Sequence, residues 1–435
     1  MKYRSTAGNS PEVSLEEAVV KGLAPDNGLY MPLTFPVLSK EFISHLSEME
    51  LSEMASEIAC ALFGDDIEKD DLINITKETL NFPVPLIIVT DNIYSLELFH
   101  GPTLAFKDVG ARFMARLLGY FNRDKSNRLV NVLVATSGDT GSAVANGFLG
   151  VEGVRVFVLY PKGKVSRIQE AQFTTLGKNI TALEIEGNFD DCQALVKQAF
   201  LDEELNEKMM LTSANSINVA RFLPQMFYYF HAYAQAVKDG ADPDSIVFCV
   251  PSGNFGNITA GLIAKRMGLP VKRFIAANNA NDIFLSYLDT GEYTPKKSVA
   301  TIANAMDVGN PSNFARILDL YDHSHKKICN EISGTAYSDE EISETLKETY
   351  RKAGYLLDPH GAVAFRALEE KLSPEETGIF LETAHPAKFK DTVEVIIGEK
   401  INIPERLDAF LKNEKCSHPL PADFLVFKDY LLESI

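Results

Sequence analysis

Tryptophan is absent from the 435-residue chain, and cysteine and histidine are scarce at five and eight. The cysteines (Cys60, Cys192, Cys249, Cys329, Cys416) are odd in number, widely spaced and never paired as C-x-x-C. That pattern argues against a disulfide framework or a zinc ribbon and fits reduced thiols in the cytosol. Positive charge is short as well: 42 Lys+Arg stand against 60 Asp+Glu, a formal −18. Such a balance argues against nucleic acid or anionic lipid as partners, so a phosphorylated ligand must be held locally. No apolar run reaches the roughly 18 residues that a membrane span needs, and the first thirty residues lack the apolar core of a secretory signal. A cytoplasmic protein with no membrane partner is expected.

Two nucleotide signatures are missing too. Gly138 and Gly141 are three apart, and no acidic residue follows the next strand where a dinucleotide fingerprint requires one. The P-loop pattern fails around Gly163-Lys164, flanked by Val158 and Val165, and around Gly177-Lys178, flanked by Gln172 and Asn179.

What is present is an ordinary globular composition, 46% hydrophobic and 23% charged, with room for two or three domains. Residues 14 to about 75 read as helices, with Ser14 as an N-cap before SLEEAVVKGL and three-to-four apolar spacing in EFISHLSEMELSEMASEIACALF. From about residue 85 the texture changes to short apolar runs, VNVLVA, VRVFVLYP, ITALEIE, SIVFCVPSG, KRFIAANN and TGIFLETA among them, alternating with amphipathic segments. Strands that are apolar at every position are central strands of parallel sheets covered on both faces. The reading is α/β: two parallel-sheet domains with a ligand cleft between them, plus an N-terminal helical subdomain. The boundaries fall at 1–85 (helical), 86–245 (α/β), 246–400 (α/β) and 401–435 (a C-terminal segment packed on the body).

In such sheets ligands sit beyond the carboxyl ends of strands, and three segments stand there. Pro251-Ser252-Gly253-Asn254-Phe255-Gly256-Asn257 lies between SIVFCV and a helix, where glycines let N–H groups approach an anion; a tight βα turn is the plainer alternative. Thr136-Ser137-Gly138-Asp139-Thr140 opens another helix with hydroxyls and N–H groups suited to a carboxylate, or serves only as an N-cap. The segment Phe99-His100-Gly101-Pro102-Thr103-Leu104-Ala105-Phe106-Lys107-Asp108 sets one lysine among apolar residues at a helix start. A lysine kept from water loses proton affinity, as an amine nucleophile requires, although a lysine after a turn is more commonly solvated.

Taken together, FHGPTLAFKD, ATSGDTGSA, PSGNFGN and LETAHPAKF, with the opening YRSTAGNSPEVSLEEAVVKGLAPDNGLYMP, resemble the threonine synthases, pyridoxal-phosphate enzymes of the tryptophan-synthase-β fold type. The likeness runs in order from about residue 3 to about 390. It implies that Lys107 is the Schiff-base and catalytic lysine, that Gly253, Asn254, Phe255, Gly256 and Asn257 hold the cofactor phosphate in the cleft, and that Thr383 faces the pyridine nitrogen. A neutral hydroxyl there leaves that nitrogen less protonated than an aspartate would.

It further implies that Thr136, Ser137, Gly138, Asp139 and Thr140 receive the substrate carboxylate. Relatives often carry Asn where Asp139 stands, and an acidic side chain there must be turned away or bonded. Ser213, Asn215 and Arg221 suit the departing phosphate, Arg221 as a bidentate partner; Lys162, Lys164 and Arg167 read as surface residues. The implied reaction converts O-phospho-L-homoserine and water to L-threonine and phosphate, in a monomer or homodimer. The alternatives are another enzyme of the fold type, a threonine or serine dehydratase or a phospho-lyase, or an inactive relative acting as a binding protein. The pair His323 and His325 reads as a solvated loop, not a metal site. One or two of His100, His360 and His385 are expected to line the cleft.

Overall fold

A computed structural model describes residues 1–123, 125 and 129–434. The continuous apolar runs form two sheets. In the first, the strand order is His418–Pro421, Ile180–Glu186, Val154–Pro161, Val130–Ala135 and Met210–Ser213, parallel throughout. In the second it is Ile332–Ala336, Arg273–Asn278, Ile246–Pro251, Thr377–Glu382, Ile93–Glu97 and Leu86–Thr90. That sheet is parallel except for its last pair, which is antiparallel and bulged. Inner strands such as Val130–Ala135 and Ile246–Pro251 are buried at every residue, because helices cover both faces.

The chain divides into two compact units that interleave in sequence. One comprises Met1–Met31, Lys107–Arg221 and Ile403–Ile435; the other comprises Pro32–Phe106 and Phe222–Asn402. The segments 1–85 and 86–245 expected from the sequence are therefore each shared between units, Ile93–Glu97 pairing with Thr377–Glu382 far along the chain, whereas 246–400 lies wholly in the second unit. The segment 401–435 falls in the first unit from Ile403 onward, where Phe427 and Leu431 join Leu183, Leu195 and Leu205 in the core. The second unit's core packs Val247, Ile275 and Phe380 against Val363, Phe365 and Leu368 of the helix Pro359–Lys371.

Ser14 caps Leu15–Lys21 by accepting the Glu17 N–H, and Leu51–Phe63 is the longest helix before residue 85. No helix among the described residues is long and apolar enough to cross a membrane.

Candidate active site

Each unit carries part of the predicted site at the carboxyl ends of its strands. In the first unit, Lys107 is the opening residue of the helix Lys107–Asn122 and is half-buried. Arg221 holds it there: its Nη1 donates to Lys107 O (3.2 Å) and its Nε to Ala214 O (2.7 Å). The approach is so close that a Cβ on Gly110 would lie 2.1 Å from Arg221 O. Arg221 is only 3% exposed. Burial lowers its pKa to about 10, against the opposing pull of buried Asp108. The side chain expected to grip a phosphate thus also braces the lysine's first turn.

The loop after Val130–Ala135 is organised by Thr136, whose hydroxyl accepts the N–H groups of Gly138 (2.9 Å) and Gly141 (2.8 Å). Thr136 is consumed in that work. Gly138 has φ 151°, ψ −97°, and the side chain of Gln169 fills the space a Cβ would take. Asp139 is buried and bonded, its Oδ1 accepting Gln169 Nε2 at 2.9 Å. Gln169 was not legible as a partner, being 30 residues distant in sequence. Ser137 and Thr140 are half-buried, and their hydroxyls meet no partner among the described residues. Beyond Met210–Ser213, Ser213 Oγ accepts Asn215 N (3.2 Å), and Asn215 Nδ2 donates to Ala135 O (3.1 Å), which ties this loop to the Thr136 loop. Lys162, Lys164 and Arg167 are exposed.

In the second unit, the loop after Ile246–Pro251 leads into the helix Gly256–Arg266. Phe255, its N-cap, is left-handed at φ 62° and offers no side-chain cap. The N–H groups of Phe255, Gly256 and Asn257 meet no acceptor among the described residues, while Asn257 Nδ2 anchors the turn on Pro251 O (2.8 Å). A Cβ on Gly253 would lie 2.7 Å from Met306 Cα, so only glycine lets the backbone pass. Unpartnered donors at the N-terminus of a buried helix form a seat for an anion. Asn254 is clamped from behind, its Oδ1 accepting Ser312 N (2.6 Å) and its C=O accepting Asn313 Nδ2 (3.0 Å).

Thr383 follows Thr377–Glu382 directly, is 6% exposed, and its hydroxyl meets no partner among the described residues. Its carbonyl accepts the N–H of Phe106 (2.9 Å), and Ala384 forms a bridge with Ala105. The residue before the lysine is therefore sewn to the end of that strand. Of the three histidines, His360 is buried, whereas His100 and His385 are partly exposed. His100 Nε2 pairs with Glu97 Oε2 at 2.7 Å. Burial drives His385 down to about 4, so that it stays neutral near pH 7. No group of three metal-ligating side chains occurs among the described residues, His323 and His325 included.

In the second unit the unpartnered N–H groups of the Gly253 loop fit a phosphate, and in the first the braced lysine fits an aldehyde. The comparisons agree. A family model described as pyridoxal-phosphate dependent enzyme matches residues 88–381, with threonine synthase N-terminal and C-terminal models on 2–80 and 361–431. The threonine synthase of Haemophilus influenzae is 48% identical over 423 residues, covering 97% of both chains. This chain belongs to the threonine synthase family.

The Escherichia coli threonine synthase crystal structure matches at 44% identity and TM-score 0.92, covering 100% of both chains. A pyridoxal-phosphate-bound threonine synthase from Brucella melitensis matches at 36% identity and TM-score 0.93, covering 100% of this chain and 99% of that one. The fold expected from the sequence, parallel-sheet α/β of the family's type, is that of these threonine synthases. Membership makes the chain a pyridoxal-phosphate-dependent enzyme.

Proposed function

We propose that this enzyme converts O-phospho-L-homoserine and water to L-threonine and phosphate, with Lys107 as its catalytic residue. The observation that carries the reading is the bracing of Lys107, whose carbonyl is bonded by Arg221 and whose preceding residue is anchored on Thr383. Pyridoxal phosphate, when bound, supplies an electron sink for charge developing on substrate carbon. Lys107 would hold it covalently, the Gly253–Asn257 N–H groups would take its phosphate, and the Thr383 hydroxyl would face its ring nitrogen.

The remaining residues orient and move protons. Ser137 and Thr140 present hydroxyls for the substrate carboxylate, in a loop whose shape Thr136 and Gly138 fix; Asp139 acts through Gln169. Ser213 and Asn215 suit the phosphate that leaves from Cγ. Once the substrate amine has displaced it, the Lys107 amine would take the Cα and Cβ protons, return one to Cγ after the phosphate leaves and one to Cα as the hydroxyl of water adds at Cβ, the remaining proton of that water going to the released phosphate. Holding these groups in place accounts for the protein's share of the rate. The reading places the enzyme in the cytosol as a monomer or homodimer.

The test is visible absorbance of the purified protein and its loss in Lys107→Ala, an assay free of indole emission because tryptophan is absent. Colourless wild-type protein overturns the cofactor assignment. With O-phospho-L-homoserine, release of phosphate and threonine is expected; 2-oxobutyrate as the main product favours the phospho-lyase reading.

A further inference from the structure

Beneath the Gly253 loop and Thr383 lies a buried polar chain that the reaction above does not use. Asp358, fully enclosed, precedes the helix Pro359–Lys371 and caps it by accepting the His360 N–H (2.6 Å). An N-cap needs no more than that, yet this carboxylate takes two further bonds. Oδ1 also accepts His360 Nδ1 (2.5 Å), and Oδ2 accepts the N–H of Ala384 (3.3 Å), the residue after Thr383. On its far side, His360 Nε2 accepts the N–H of Ala305 at 3.1 Å.

A nitrogen that accepts carries no proton, so the imidazole is the neutral tautomer with its hydrogen on Nδ1. Ala305 and Met306 are the backbone against which Gly253 packs. Above Asp358, the Glu382 Oε1 accepts the Asp358 N–H (2.6 Å), while its Oε2 has no partner. Burial, then the charge of Asp358, push the pKa of this carboxyl well above the ordinary carboxylate range. A neutral acid bears an unpaired oxygen at far lower cost than a carboxylate.

We propose that Asp358 and His360 are positioning residues of the cofactor site: one enclosed carboxylate fixes the strand end bearing Thr383 and, through a single tautomer of His360, the backbone that backs the Gly253 loop. The proposal rests on the reading that Gly253–Asn257 takes the cofactor phosphate. Neither side chain touches the cofactor; both act through backbone N–H groups. Because Ala384 bridges Ala105, the same carboxylate also steadies the stretch that ends one residue before Lys107.

The experiment measures cofactor dissociation by dialysis, the visible circular dichroism of bound cofactor, and inorganic phosphate binding to the cofactor-free protein. His360→Asn keeps a donor towards Asp358 but loses the acceptor for Ala305; His360→Gln restores an acceptor near Nε2. The expected result is cofactor and phosphate binding at least tenfold weaker in His360→Asn, and within threefold of wild type in His360→Gln. Wild-type binding in His360→Asn, alongside clear loss in Gly253→Ala, overturns the proposal alone. Wild-type binding in Gly253→Ala overturns the loop reading and the proposal with it. A measurement on the unmutated holoenzyme stands independently of whether any variant folds: nitrogen-15 shifts are expected to give the Nδ1–H tautomer for His360, and an imidazolium or Nε2–H tautomer overturns the relay.

Discussion

A Cβ on Gly361 would come within 1.5 Å of Glu382 Oε2, so this glycine is what lets a helix close over a buried carboxyl. Gly361→Ala is expected to destabilise the protein by about 1–3 kcal/mol, the cost of overpacking a filled interior, as measured by urea unfolding. Arg221 tests a different kind of residue. Since its Nε and Nη1 are spent on Ala214 O and Lys107 O, Arg221→Ala is expected to lower kcat at least tenfold with a smaller change in KM. A raised KM with intact kcat would instead put the guanidinium on the substrate phosphate. Burial separates these outcomes, and burial is invisible in the sequence: an arginine after a polar strand end looks the same whether it faces a ligand or a carbonyl.

Among elements, the helix Met226–Lys238 carries His231, whose Nε2 lies 3.1 Å from Val84 O and whose Nδ1 is buried without a partner. Burial depresses its pKa to about 4. The folded state thus binds fewer protons than the unfolded chain between about pH 6.5 and 4, and stability present at neutral pH is lost as the pH falls through that window. His385 has the same sign. The raised pKa of Glu382 has the opposite one, adding stability at low pH that is lost as pH rises. His231→Gln is therefore expected to flatten the acid limb by up to about 1.4 kcal/mol per pH unit, read from unfolding free energies against pH.

The same scale shows what could be read beforehand. Val130–Ala135, Val154–Pro161 and Ile246–Pro251 announced themselves because inner parallel strands are apolar at nearly every position, Asn131 and Arg155 being the exceptions here. Ile332–Ala336 and His418–Pro421 did not, because edge strands tolerate the glycine, serine and prolines they contain. Lys107, Gly253–Asn257 and Thr383 were legible as motifs at strand ends, whereas Gln169 and the Asp358–His360–Glu382 chain gain meaning only from spatial partners.

For the molecule as a whole, the last segment is structural. His418–Pro421 pairs with Ile180–Glu186, and Lys415 forms ion pairs with Glu170 and Glu184, at 2.6 Å to the latter. Deleting residues 403–435 would uncover the core beneath Phe427 and Leu431. The truncated chain is expected to be largely insoluble, or to lose cooperative unfolding by near-ultraviolet circular dichroism. The interleaving of the units also has a consequence in time. Asn92 bonds Glu376 O across 284 residues of sequence, and Lys388 bonds Thr103 O across 285. At roughly 5–20 residues per second of synthesis, about 15 to 60 seconds separate the emergence of Lys107's neighbours from that of the strand that anchors them. A nascent chain has its lysine early and the anchor for that lysine's neighbours late.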